Sequence, residues 1–142
     1  MVTLRWLKST TTQDGYRGLI MVNSNDFINA IERDIIFVKG DTLSFNFQIQ
    51  GLRHEMPDNL TFTCKNHYDD TDALFTCEIG NGISLENYDE EKDLSTFTLR
   101  VAPHKTEELD LSRYYYDLQM NAGNDVITLL RGRLILVYSV SD

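Results

Sequence analysis

At 142 residues the chain has the size of one domain and is long enough to bury a core without disulfide or metal staples. Thirteen Lys and Arg against 22 Asp and Glu leave a net charge of −9; a surface of that sign repels phosphate backbones and anionic headgroups, which argues against nucleic acid and membrane as partners. No apolar run reaches the roughly 18–20 residues of a membrane span, and Met1-Val2-Thr3-Leu4-Arg5-Trp6 lacks the apolar core and cleavage site of a secretory signal, so a cytoplasmically made product is expected.

In chain order, Val2, Leu4 and Trp6 alternate with Thr3 and Arg5 as in a short strand, and Leu19-Ile20-Met21-Val22 suggests another. Ser24 to Ala30 is open between a helical turn and a loop. Trp6, the only tryptophan, either caps the core or belongs to an arm that docks on a neighbouring subunit. From Asp34 the β pattern is clear. Ile35-Ile36-Phe37-Val38 is followed by the turn Lys39-Gly40-Asp41 and by Thr42–Gln50, in which Leu43, Phe45, Phe47 and Ile49 share one face. Strands over Leu60–Asn66 and Ala73–Ile79 follow, paired around the loop His67 to Asp72; a symmetric register places Phe62 opposite Ile79 and Cys64 opposite Cys77. Gly80-Asn81-Gly82 reads as a turn, Ile83–Glu86 as a short strand, and Ser95–Val101 as a strand with Phe97, Leu99 and Val101 inward. Pro103 to Leu111 has the composition of a single helical turn.

The last thirty residues organise the rest. Tyr114, Tyr116, Leu118 and Met120 alternate with Tyr115, Asp117, Gln119 and Asn121, a Gly-containing loop follows, and Asp125–Tyr138 returns as an apolar strand, which predicts a long β-hairpin. Gly132 between Arg131 and Arg133 reads as a bulge, so the inward face of the strand beyond it is left open. Ile35–Val38 and Leu134–Tyr138 are apolar on both faces and should be covered on both sides, either by the chain's own first thirty residues or by a subunit interface.

Chemistry-bearing motifs are sparse. Cys64 and Cys77 are read as reduced thiols packed as small apolar groups, or else as a cross-strand disulfide. Asp69-Asp70-Thr71-Asp72 lacks the ligand ladder of a calcium loop, and His54, His67 and His104 fall in separate loops without metal-ligand spacing. No nucleophile motif or phosphate-cradling glycine loop occurs, so no catalysis, metal or cofactor is expected. Of the three consecutive tyrosines only Tyr115 points outward, and Tyr68 and Tyr88 lie in loops; a sugar-stacking platform needs more than one exposed ring. Eight or nine strands without a long helix predict an all-β, immunoglobulin-like antiparallel β-sandwich. Residues 1–33 form an N-terminal extension packed on it or acting as an assembly arm, and residues 34–142 form the sandwich itself.

Lys39-Gly40-Asp41 with the amphipathic strand after it, Tyr114-x-Tyr116-Asp117-Leu118, and Thr128-Leu129-Leu130-x-Gly132-x-Leu134 together resemble the N-terminal β-sandwich domain of phage baseplate upper proteins and related phage or prophage tail structural proteins. The resemblance runs from about Asp34 to Val140. It departs at Ser112-Arg113, where such domains commonly carry a glycine before the tyrosines. It implies a virion tail component, made in the bacterial host cytoplasm, that acts through protein–protein contacts with other baseplate or tail proteins or with further copies of itself. With no region after the sandwich, the expectation is an anchoring or assembly module that does not itself dock receptor-binding subunits. Trp6, Ile135 and Val137 are the expected contact residues. The alternative is a carbohydrate-binding or adhesin-like sandwich.

Overall fold

The computed structural model describes residues 3–5, 21–22, 31–53, 55–110 and 112–138. Its strands are β1 Thr3–Arg5, β2 Met21–Val22, β3 Ile31–Glu32, β4 Ile35–Val38, β5 Leu43–Gln50, β6 Asn59–Lys65, β7 Phe75–Ile79, β8 Gly82–Asp89, β9 Leu94–Val101, β10 Arg113–Ala122 and β11 Asp125–Val137. A 3₁₀ turn at Pro103–Lys105 bridges β9 to β10, in the stretch where the sequence predicted one helical turn. Ser24 to Ala30 and Trp6 lie outside the described residues.

The fold is all-β, as its alternating strands dictate. Eight strands form one mixed sheet in the order β5-β9-β8-β7-β6-β10-β11-β4, nearly closed into a barrel, and β1 and β2 extend its β5 edge. The expectation of purely antiparallel pairing is corrected: β3 and β4 run parallel to β11, and β7 runs parallel to β8 over one short ladder. The first arises because residues 31–38 lie along the outer edge of the last strand. The second arises because Gly80 and Gly82, at φ +86° and +101°, jog the strand sideways instead of reversing it. The chain thereby passes from the ladder with β6 to the ladder with β9, and β8 is a full eight-residue strand instead of a short one.

Alternation places the core as the sequence requires. Leu43, Phe45, Phe47 and Ile49 of β5, Phe97, Leu99 and Val101 of β9, and Tyr114, Tyr116, Leu118 and Met120 of β10 are all buried. Phe47 stacks on its cross-strand partner Phe97 at 5.4 Å, and Phe62 on Tyr116 at 5.3 Å. Phe45 meets Phe62 edge-on at 6.4 Å although β9, β8 and β7 separate their strands in the sheet, so the sheet curls until its inner face packs on itself. Each such ring stabilises the fold by about 1.5–3 kcal/mol through burial.

Two registers need restating. In the β6–β7 hairpin Phe62 lies opposite Cys77, and Cys64 opposite Phe75. The Leu74 N–H donates to the Cys64 carbonyl at 2.8 Å; a ladder centred on the loop His67 to Asp72 sets Asn66 opposite Ala73 and hence Cys64 opposite Phe75, so the expected Cys64–Cys77 pairing is two residues out of that register. The cysteines become diagonal neighbours, separated by about 7–8 Å and beyond disulfide reach; both are free and buried. The bulge of the last hairpin sits at Leu129, where the register steps between Leu118 and Gln119, and not at Gly132. Leu129 and Leu130 are consequently both buried, and Leu134 and Leu136 point inward.

Candidate protein-contact face

With the inward parity of β10 and β11 fixed, the opposite parity defines an outer face. Cross-strand pairing lays it out in rows: Lys65 beside Tyr115 beside Arg133, and Thr63 beside Asp117 beside Arg131. Arg113, Ile135 and Ile36 form the next row, and Val137 and Val38 lie beyond it. Ile135 is half-buried, Val137 is 37% exposed and Ile36 58% exposed. The two-sided apolar strands are thus covered on their inner side, and the outer side chains of Ile36 and Val137 remain accessible. Trp6, expected to join this contact set, lies outside the described residues.

A loop residue completes the face. Tyr68, from the turn between β6 and β7, reaches back over the sheet so that its ring lies 4.1 Å from that of Tyr115, tilted by 37°. The Arg131 guanidinium sits 5.2 Å from the Tyr68 ring centre, within cation–π range. Two grooves flank Tyr68: one is lined by Thr63, Lys65, Tyr115 and Asp117, the other by Glu32, Asp34, Gly132 and Arg133. Strand periodicity exposed Tyr115 but could not reveal Tyr68, because a nine-residue excursion leaves no periodic trace of where its side chain lands.

Residues 31–38 are fastened to this face. Arg133 donates through both its backbone N–H and its guanidinium to Asp34, at 2.7 Å for the closest contact, and this hydrogen bonding holds the Asp34 carboxyl below its ordinary value. The pair is 42% and 40% exposed, so solvent screens it and it chiefly sets geometry. Arg131 approaches Glu32 at 3.9 Å. Beneath them the Arg33 carbonyl turns inward over Gly132, accepts the Tyr116 hydroxyl proton at 2.6 Å, and occupies the space a side chain at 132 would fill. Tyr116 and Gly132 are themselves cross-strand partners.

Asp117 is half-buried between Thr63 and Arg131. Burial pushes its carboxyl up, while the charges of Lys65 and Arg131 pull it back in part. Elsewhere, burial pushes the Cys64 thiol to about 12, far from a reactive thiolate. Among the described residues no three His, Cys, Asp or Glu side chains gather closely enough to hold a metal, and Asp70 spends one carboxylate oxygen accepting the His67 N–H of its own loop. No helix among the described residues is long and apolar enough to cross a membrane. No protein-family model matches the chain, and no curated protein matches its sequence.

Proposed function

We propose that this protein is a non-catalytic structural or assembly component of a phage or prophage tail, of the baseplate kind, working through protein–protein contacts in the virion tail. The observation that carries the contact reading is the composition of the outer face: accessible Ile36 and Val137 with half-buried Ile135, continuing into Tyr68, Tyr115, Arg131 and Arg133. Aromatic and Arg side chains beside an apolar strip are the residues that dominate binding energy at protein interfaces. The tail assignment rests on the sequence resemblance. It is supported by the way two of the residues carrying that resemblance, Tyr116 and Gly132, both serve one purpose, seating Arg33.

The finer fold reading, an immunoglobulin-like sandwich, belongs to the same proposal. The Tyr114 hydroxyl donates to the carbonyl of Asp110, four residues upstream, at 2.8 Å, the tie that a tyrosine makes at the corner of such sandwiches. The jog at Gly80–Gly82 is the kind of bend by which a strand changes layers.

Ile135→Lys and Val137→Lys test the contact. Lysine stems lie along an apolar surface while the ammonium stays in water, so unfolding in urea should shift by about 1 kcal/mol or less. Association, read as mass by light scattering for the protein alone or with candidate tail proteins, should weaken at least tenfold, about 1.4 kcal/mol. Unfolded variants would return these positions to the core, and association left intact in folded variants would sink the contact reading. A second reading, a carbohydrate-binding module, is favoured by one observation, the meeting of Tyr68 with Tyr115.

A further inference from the structure

On one flank of Tyr68, β6 and β10 build a groove from two adjacent rows of the sheet, Lys65 with Tyr115 and Thr63 with Asp117. Tyr68 walls it, with half of its surface, 51%, open to solvent. Among the described residues neither the Asp117 carboxylate nor the Lys65 ammonium makes a side-chain hydrogen bond or ion pair to the protein. The groove encloses only about 60 Å³, less than a ligand-sized cavity, so an occupant would lie across its mouth against Tyr68.

We infer that this groove binds a single neutral pyranose residue of a glycan, held by Asp117, Lys65 and Thr63 and stacked against Tyr68. The argument is by the charge of its walls. An anion would meet the Asp117 carboxylate, and a cation would meet Lys65 with Arg131 in the same row as Asp117. A purely apolar ligand would bury both charges without partners. A sugar hydroxyl both donates and accepts, so one ring can give a proton to Asp117 and take one from Lys65. Its C–H face then packs on the accessible part of Tyr68, and aromatic rings offer such a surface at small entropic cost. Burial already strains the ionised Asp117, and a hydroxyl donor relieves that strain. The inference rests on the carbohydrate reading and is independent of the assembly one.

The test is a titration of the full chain, isotopically labelled, with the methyl glycosides of glucose, galactose, mannose and N-acetylglucosamine at tens of millimolar, read by NMR. At least one should give saturable shifts confined to Thr63, Lys65, Tyr68, Tyr115 and Asp117. Tyr68→Ala and Asp117→Asn should each weaken it by about tenfold while the remaining resonances stay in place. Failure of all four glycosides to saturate, saturation elsewhere, or equal affinity in both variants would overturn the site. Light scattering on the same two variants separates the readings: unchanged association with lost sugar binding supports the groove. Lost association without sugar binding in the parent protein would assign it to a partner's side chain and overturn it.

Discussion

Gly132 and Tyr116 face one another across the last hairpin, and both answer to the backbone of Arg33. A methyl group at 132 would overlap the Arg33 carbonyl, a backbone group that cannot rotate away. Gly132→Ala should therefore lower stability by about 1–3 kcal/mol, and Tyr116→Phe by about 1 kcal/mol through the lost hydroxyl. Because both act through the seating of residues 31–38, the double variant should lose less than the sum. Urea unfolding of the three variants checks this, and strict additivity would refute the shared role. Asp117 gives a pH prediction. Its folded carboxyl titrates above its unfolded value, so its contribution is favourable while protonated and is lost as pH rises from about 3.9 through the raised folded value. Asp34 runs the other way: lowered by Arg133, it contributes above its unfolded value and loses that contribution as pH falls. Asp117→Asn should thus raise the unfolding midpoint at pH 7, with a gain that shrinks toward pH 4. A gain independent of pH would mean that burial of the charge is not the cause.

At the scale of elements, what could be read from the sequence is what strand periodicity encodes. β5, β9 and β10 have one wet face, and their inward sets follow from alternation alone. The glycine turn before Asp125 is legible too, although the ladder runs on through Asn121 and Ala122 and leaves only Gly123 and Asn124 in the turn. Gly80-Asn81-Gly82 was not, because two positive-φ glycines serve a reversal or a sideways jog alike, and only the partners of β8 decide between them. Gly82 is further fixed by crowding: a side chain there would come within 2.9 Å of the Cys77 sulfur. The face of β11 depended on a bulge, and the visible glycine drew attention to 132 when the extra residue was Leu129. β4 escaped for a related reason. An apolar run without alternation says that a strand is buried, not that it lies parallel along an edge, nor that Ile36 would stay accessible. For the candidate face, alternation turned Tyr115 outward, whereas the parity of Ile135 and Val137 waited on the bulge at Leu129 and the position of Tyr68 on its loop, neither of which periodicity encodes.

For the molecule as a whole, the accessible strip must work against a net charge of −9. Two copies approaching each other repel, over about 30 Å at 0.01 M salt and about 8 Å at 0.15 M. Association through Ile36, Ile135 and Val137 should therefore strengthen as salt is added, since screening removes the repulsion and leaves apolar burial intact. Association through Arg131 and Arg133 onto a partner's carboxylates should weaken instead. Light scattering at fixed protein concentration across that salt range distinguishes the two: rising mass supports the apolar strip, falling mass moves the contact to the guanidinium row, and a monomer throughout leaves a different protein as the partner. The lysine variants sharpen the argument. Ile135→Lys with Val137→Lys takes the net charge from −9 to −7 by adding two positive charges, so overall repulsion between copies falls, and association lost in that variant comes from the contact face itself, through lost apolar burial and the cost of desolvating two ammonium groups there.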